Sequence, residues 1–148
     1  MKYQLSFATV NLIASNIVEI VINKNVEVSL EMLDELDALI GELFPQEPFG
    51  ALMNKVHFHR FSFEAKLCLG SYENLAAVAV VNYSDAELIE SKSIQTLRRA
   101  DQWNIKNFAG LEIGWQEAEK WLKSELHKTD LMISQFETSQ NNVNQLSA

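Results

Sequence analysis

Two histidines, His57 and His59, are separated by a single residue in the segment His-Phe-His-Arg-Phe. On an extended strand such residues point to the same face, as paired ligands for zinc or iron do. A metal site needs at least one further ligand, and His127 is far away in the chain, with no Cys or Glu at ligand spacing. We therefore interpret the two histidines as part of a polar strand end, and we predict neither a metal site nor a cofactor.

Two potential nucleophiles, Ser62 and Cys68, follow in the same region. Ser62 precedes an apolar helical run, the ordinary place for a serine N-cap, whose hydroxyl accepts a backbone N–H. Cys68 would need a base and an oxyanion donor around it to attack a substrate, and the only cation nearby in the sequence is Lys66. We predict that Cys68 is a small, buried core residue.

The remaining charged residues and glycines do not form a catalytic pattern. The acidic residues are interpreted as charges on helix surfaces, with none placed alone in an apolar run, the setting that raises a carboxyl pKa for acid–base catalysis. The five glycines are too dispersed for a phosphate-binding loop. Lys92, Arg98 and Arg99 form the only basic cluster and are expected on a solvated helix face. We predict no catalytic residue, and a protein that is not an enzyme.

The segment that follows the histidines is unusual because it is apolar. Phe58, Phe61, Phe63 and Leu67 place more apolar surface in one short connection than a solvent-facing loop tolerates. They either fill the core or cover a pocket or a partner site. Ligands of open α/β sheets bind outside the carboxyl ends of the strands, and this segment follows a predicted strand. The four residues are therefore candidate pocket or interface residues.

Length and charge exclude several classes of function. The chain has 148 residues, which predicts one domain, and a net charge of −8 with a pI near 4.8. An acidic surface opposes binding to nucleic acid and to anionic membranes. A single cysteine permits no intrachain disulfide and suits a reducing compartment. Without a segment long enough to span a membrane, the chain is expected to be cytoplasmic, with no stable membrane insertion.

The predicted sheet is organised around Leu75–Tyr83, an unbroken apolar run typical of a strand covered on both faces. At the N-terminus, a strand that starts at Tyr3 and is interrupted near Ala8 is expected to form an antiparallel hairpin with Ile17–Ile22. Phe49–Val56 and Trp103–Phe108 are the other predicted strands, the latter near a sheet edge.

Four helices are expected between and after these strands. The first begins at the N-cap Ser29 and ends at Phe44, and the second is a short piece at Ser62–Leu69. The third begins at a capping box, Ser84–Glu87, and continues to about Arg99. The fourth is amphipathic, with apolar residues at Trp115, Ala118, Leu122 and Leu126. The third helix has a thin apolar stripe, namely Ala86, Ile89, Leu97 and Ala100. The domain is predicted to span residues 1–128, and residues 129–148 to form a polar C-terminal tail.

Three parts of the sequence point to a known family. They are the Ile17–Ile22 strand that leads into the Ser29 helix, the segment Glu73–Val81, and Lys106-Asn107-Phe108 followed by Glu117–Leu122. Together, over roughly residues 10 to 126, they resemble the SpoIIAA-like family of STAS/SEC14-type domains, which are small bacterial proteins. The resemblance implies an α/β fold with a mixed sheet of about five strands (an N-terminal antiparallel hairpin, then parallel βα units), about four helices, and a non-enzymatic role.

The resemblance also implies two kinds of function. Anti-sigma-antagonist members carry a phosphorylatable serine in an Asp-Ser-Ser-Gly-like turn, and only Ser62 of Phe61–Glu64 matches it, which makes Ser62 a candidate phosphosite. We therefore expect a regulatory or protein-interaction module that binds a protein partner or associates with itself. The alternative is a carrier or sensor of a small apolar ligand or lipid, with Phe58–Leu69 as the pocket wall, as in the lipid-binding relatives.

Overall fold

A computed structural model describes residues 1–147, with side chains described through Asn142. Ala148, the last residue of the predicted tail, lies outside the described residues. Within that range the chain forms eight strands: β1 (Lys2–Gln4), β2 (Ala8–Ala14), β3 (Ile17–Ile22), β4 (Glu27–Val28), β5 (Phe49–Asn54), β6 (Arg60–Phe61), β7 (Leu75–Asn82) and β8 (Ile105–Ala109). The helices are α1 (Leu30–Leu43), α2 (Phe63–Cys68), α3 (Asp85–Leu97) and α4 (Gly114–Ser147), with a 3₁₀ turn at Arg99–Asp101.

Six strands form one mixed sheet in the order β1-β2-β3-β5-β7-β8. The first three pair antiparallel, and β3, β5, β7 and β8 pair parallel. The expected class, an α/β protein with an antiparallel hairpin followed by parallel strands, is confirmed, with six strands instead of about five. The apolar run at Leu75 is an interior strand, as predicted, and β8 is an edge strand. The short strands β4 and β6 form a separate parallel pair.

The N-terminus differs from the prediction of one interrupted strand. The chain reverses between Gln4 and Ala8, so that β1 and β2 pair antiparallel with Tyr3 opposite Val10. The Leu5 N–H donates to the Ala8 carbonyl at 2.8 Å and closes the turn. Ser6 is the only residue of this turn with a turn preference, so the signal in the sequence is weak.

Two apolar layers cover the two faces of the sheet. On one face, Val18, Ile20 and Ala51 belong to a core cluster with α1, Ala65 of α2 and Ile94 of α3. On the other face, Leu52 and Ala79 belong to a cluster with the buried residues of α4. Side chains of successive strand residues alternate between the faces, so neighbouring residues such as Ala51 and Leu52 enter different layers.

The sheet-facing side of α3 was predicted wrongly. Ile89 is 68% exposed and Leu97 46% exposed, whereas Ser91 and Ile94 are buried. The sheet presents polar side chains to this helix, so the buried face of α3 is itself partly polar and the apolar stripe points outward. The capping box itself is present, with the Ser84 hydroxyl accepting the Glu87 N–H at 3.2 Å.

Helix α4 contains both the predicted last helix and the predicted tail. Ala118, Leu122 and Leu126 are buried and Trp115 is half-buried, which confirms the predicted apolar face. Beyond Asp130 the helix continues, and its described side chains are exposed, including Met132 (70%) and Phe136 (65%). None of the described helices is both long and apolar enough to cross a membrane.

Candidate functional site

An apolar cavity of about 100 Å³ lies between the sheet and helices α1–α3. The strands β3, β5, β7 and β8 form its floor, α1 and α3 form its sides, and the segment from Phe61 to Tyr72 forms the rest of its wall. The lining side chains are almost all apolar: Ile20, Leu33, Leu36, Ala51, Met53, Phe61, Leu69, Leu75, Val78, Val80, Ile94, Trp103 and Ile105. Such a lining suits an apolar guest.

A small side chain, Ala51, lies at the centre of the cavity floor. Ala51 lies opposite Val18 on one neighbouring strand and Val78 on the other, and the three share one face of the sheet. A long side chain at position 51 would extend into the space that α1 and α3 leave open. The cavity therefore follows from alanine at the centre of the sheet.

A chain of polar side chains closes one end of the cavity. Lys55 is 5% exposed, and its Nζ donates to Ser91 Oγ at 3.2 Å. The Ser91 hydroxyl donates to Asn82 Oδ1 at 3.0 Å, and Asn82 Nδ2 donates to Asn107 Oδ1 at 3.1 Å. Lys55 follows the last residue of β5, and Asn82 is the last residue of β7. The cluster therefore lies at the carboxyl ends of neighbouring parallel strands, where open α/β sheets bind ligands.

Burial is the main electrostatic influence on Lys55. It lowers the pKa of the ammonium below its ordinary value, and the nearby carboxylates of Glu90 and Glu87 oppose that shift. Among the described side chains, Lys55 forms no ion pair. Its charge is thus both desolvated and incompletely compensated.

Gln95 is a further buried donor, one helical turn beyond Ser91. It stands four residues after Ser91, on the same face of α3, and it lines the cavity with Lys55 and Ser91. Its amide Nε2 is buried and has no hydrogen-bond partner among the described residues. A buried donor without an acceptor costs free energy, so this group requires a physical explanation.

Trp103 lines the opposite end of the cavity, and Arg98 lies against its ring. Arg98, expected on a solvated face, is buried at 8% exposure, while Lys92 and Arg99 are exposed as predicted. Arg98 Nη1 donates to the carbonyls of Lys66 (3.1 Å) and Leu69 (2.7 Å), and its guanidinium lies 4.3 Å from the Trp103 ring centroid. It also pairs with Asp101. The sequence prediction for Arg98 was wrong because its partners are backbone carbonyls in and just after α2, which the sequence does not reveal. Its role is to hold α2 against α3.

The four candidate pocket or interface residues divide between two environments. Phe61, fixed by the pairing of β6 with Val28 of β4, is 8% exposed and lines the cavity. Phe58 (52% exposed), Phe63 (63%) and Leu67 (45%) lie at the surface. Ser62, the candidate phosphosite, is the N-cap of α2, and its Oγ accepts the Ala65 N–H at 3.1 Å.

Other residues singled out in the sequence lie in different surroundings from those expected. His59 is buried and His57 is exposed, so the two do not share a face. The ring of His59 instead contacts the His57 carbonyl through Nδ1 at 2.9 Å, and burial lowers its pKa. No group of three metal-binding side chains occurs within the described residues. Cys68 is exposed, not buried, because α2 turns Ala65 toward the core.

One acidic residue contradicts the expectation that carboxylates occupy helix surfaces. Glu19 stands alone in the apolar strand β3, between Val18 and Ile20. Its carboxylate accepts hydrogen bonds from Trp115 Nε1 (2.7 Å), Asn54 Nδ2 (3.0 Å) and Asn11 Nδ2 (2.9 Å). With three donors on two oxygens, Glu19 is well satisfied. It ties α4 to the sheet on the face opposite the cavity.

The residues at the polar end of the cavity were missed by sequence reasoning. Lys55 and Asn82 did carry a usable signal, since each lies at the end of an apolar strand segment in a predicted parallel sheet. Ser91 and Gln95 carried none, because polar residues on a helix are ordinarily solvent-facing.

Comparison of the chain with protein-family models, with curated proteins and with solved structures found no match.

Proposed function

We propose that the protein is a non-enzymatic carrier or sensor that binds a small apolar ligand in the cavity between the sheet and α1–α3. The observation that carries the proposal is the cavity itself, apolar on all sides except for one polar end at the carboxyl ends of β5 and β7. Phe61 and Leu69, two members of the segment expected to form a pocket wall, contribute to its lining.

The volume of the cavity limits the size of the ligand. A cavity of roughly 150 Å³ accommodates benzene. Scaled to about 100 Å³, the cavity accommodates roughly four apolar non-hydrogen atoms. A short aliphatic group is therefore the natural occupant, and a longer chain would have to extend out of the cavity.

We also propose that the chain is a SpoIIAA-like domain. The N-terminal antiparallel strands, the parallel βα units that follow and the helices on both faces agree with what the resemblance implies. A cytoplasmic location remains part of this proposal. The proposed family also supports the ligand-binding role by analogy, because some of its relatives hold lipids in an apolar pocket. This analogy is at the level of the fold.

A second candidate function, protein interaction, is favoured by one separate observation. Phe63 and Leu67 lie one turn apart on α2, are both largely exposed, and have exposed Phe58 just before them in the chain. Apolar side chains grouped at a surface favour contact with another protein or a second copy of the chain. This surface and the cavity are on opposite sides of the same segment.

Titration with 1-pentanol, a neutral probe with a short alkyl chain, tests the ligand-binding proposal. Methyl resonances of Ile94, Leu33 and Val80 should shift on titration, because these side chains line the cavity. Ala51→Leu should abolish the shifts by filling the cavity, and Ala86→Leu, the same change at an exposed position, should leave them intact. Shifts that are absent in the wild type, or that persist in Ala51→Leu, would refute the proposal.

A further inference from the structure

A second, larger cleft adjoins the apolar cavity at the end that Trp103 lines. It has a volume of about 440 Å³ and lies at the amino ends of β7 and β8, beside residues 70–73. The two spaces share the lining residues Gly70, Tyr72, Leu75, Val78 and Trp103. The cavity and the cleft are therefore neighbouring compartments, with Trp103 at the boundary between them.

Trp103 is held at this boundary by Gly70 and Arg98. Gly70 has a φ of 73°, and a Cβ at this position would lie 3.0 Å from Cζ2 of Trp103. Glycine thus permits both the left-handed backbone and the close approach of the ring. The Arg98 guanidinium lies 4.3 Å from the ring centroid. Because the indole is half-buried, its apolar surface continues from the cavity into the cleft, and a ligand too long for the cavity has an apolar path along this ring.

Unlike the cavity, the cleft presents polar groups that a ligand can reach. Ser71, Glu73, Asp101 and Asn104 line the cleft and are exposed. The two carboxylates can only accept hydrogen bonds. The Nδ2 of Asn104 donates to the Ala76 carbonyl at 3.3 Å, which leaves the acceptor Oδ1 for a guest. A ligand that occupies the cleft must therefore donate hydrogen bonds.

The charges of the cleft favour an uncharged head group. Arg98 directs its N–H groups to two backbone carbonyls, to Ser71 Oγ at 3.2 Å and to Asp101, so its charge is already compensated. Glu73 and Asp101 oppose an anion, and the whole chain carries a net charge of −8. A cation would gain little from exposed carboxylates and would lie near the guanidinium. Hydroxyl groups donate hydrogen bonds without adding a charge.

We infer that the ligand is an uncharged amphiphile with a hydroxyl-rich head group, which binds in the cleft while a short alkyl end occupies the apolar cavity beyond Trp103. The inference rests on the proposed ligand-binding function and adds the chemical class and the position of the head group. On the scale at which roughly 150 Å³ accommodates benzene, about 440 Å³ accommodates roughly 18 non-hydrogen atoms. The cleft is therefore large enough for a single sugar ring.

Isothermal titration at pH 7 with three probes that share one alkyl chain tests the head group. The probes are pentyl β-D-glucopyranoside, 1-pentanol and pentyl sulfate. The glucoside should bind about tenfold more tightly than 1-pentanol, the effect of about two additional neutral hydrogen bonds. Pentyl sulfate should bind more weakly than the glucoside, because its anion would lie beside Glu73 and Asp101. Binding of pentyl sulfate as tight as that of the glucoside would show that the class of head group is wrong.

NMR spectra of the same titrations locate the two parts of the ligand. The backbone amide resonances of Ser71 and Asn104, which line the cleft, should shift with the glucoside and not with 1-pentanol. The methyl resonances of Ile94, which lines the cavity, should shift with both probes.

Two substitutions should affect the two parts of the ligand separately. Glu73→Ala, at an exposed position of the cleft, should weaken binding of the glucoside about threefold and leave binding of 1-pentanol unchanged. Ala51→Leu, which fills the cavity, should weaken binding of both probes. Glu64→Ala, the same change as Glu73→Ala at an exposed position outside the cleft, should alter neither affinity.

The outcomes separate the two proposals. If 1-pentanol shifts Ile94 but the glucoside binds no more tightly, or leaves Ser71 and Asn104 unshifted, the head-group assignment is wrong and the apolar site remains. If the preference for the glucoside survives unchanged in Glu73→Ala, the head group does not bind in this cleft as inferred. If neither probe shifts Ile94, the proposed function fails, and the inference fails with it.

Discussion

Filling the cavity should stabilise the protein, and Ala51 is the position at which to do so. Its side chain points from the middle strand of the parallel part of the sheet into the cavity, flanked by Val18 and Val78. Leucine at this position adds three carbon atoms directed at the space below Leu33 and Ile94. Valine adds two, so Ala51→Val and Ala51→Leu form a graded pair.

Two independent estimates give the size of the effect. A cavity of about 100 Å³ at roughly 24 cal/mol per Å³ corresponds to about 2.4 kcal/mol. Burial of three further carbons at roughly 0.8 kcal/mol each gives about the same figure. Because a new side chain rarely fits without some strain, we expect a gain of about 1–2 kcal/mol for Ala51→Leu and about two-thirds of that for Ala51→Val.

Thermal unfolding followed by circular dichroism measures this gain. In a chain of this size, about 1 kcal/mol shifts Tm by roughly 2–4 °C, so Ala51→Leu should unfold at a Tm higher by about 2–8 °C. Ala86→Leu, at an exposed position, controls for the effect of added leucine outside the cavity and should change Tm little. A Tm of Ala51→Leu below that of the wild type would show that the space beside Ala51 is already occupied by side chains, and the reasoning from the cavity would be wrong.

Three further predictions concern other parts of the molecule. Leu122→Ala should cost about 2–5 kcal/mol in urea unfolding, because Leu122 is fully buried where α4 packs on the sheet; a cost below about 0.5 kcal/mol would place it at the surface. Lys55 has a lowered pKa in the folded state, so the unfolded chain binds more protons between that pKa and about 10.4. The free energy of unfolding of the wild type should therefore rise with pH in this window more steeply than that of Lys55→Met. The neighbouring titratable groups Glu87, Glu90 and His59 are the same in both proteins. An equal pH dependence of the two proteins would contradict this prediction. Phe63→Ser should weaken any dimer detected by sedimentation while leaving Tm within about 2 °C, since Phe63 is 63% exposed; a large fall in Tm would place it in the core.

The parts of the fold that were predicted correctly have strong local signals. The run from Leu75 to Asn82 has the length and composition of a doubly covered strand, and α4 has apolar residues at regular helical spacing up to Leu126. The caps at Ser29, Ser62 and Ser84 each show the side-chain hydrogen bond that a cap requires. In these elements the local preference and the tertiary environment agree.

The buried face of α3 could not be predicted from local preference. The apolar residues Ile89 and Leu97 suggest one face, but the sheet presents Lys55 and Asn82 to this helix, and Ser91 is the side chain that hydrogen-bonds to both. The periodicity of a helix identifies a face only when that face is apolar. The cavity is equally inaccessible to sequence reasoning, because its wall joins residues that lie far apart in the chain and depends on the distances between them.

Three features of the core that reduce stability occur together at one place. A buried lysine without an ion-pair partner, a glutamine donor without an acceptor and a cavity beside alanine all lie between β5, β7 and α3. Each could be replaced by an apolar residue that packs better. Two other charged side chains differ: the half-buried Glu19 accepts three hydrogen bonds, and the buried Arg98 is bonded to carbonyls and to Asp101. Residues that violate the rules of core packing at a single site are typical of binding sites, where the ligand supplies the missing contacts. That coincidence, more than the cavity volume alone, supports a ligand-binding role for this site.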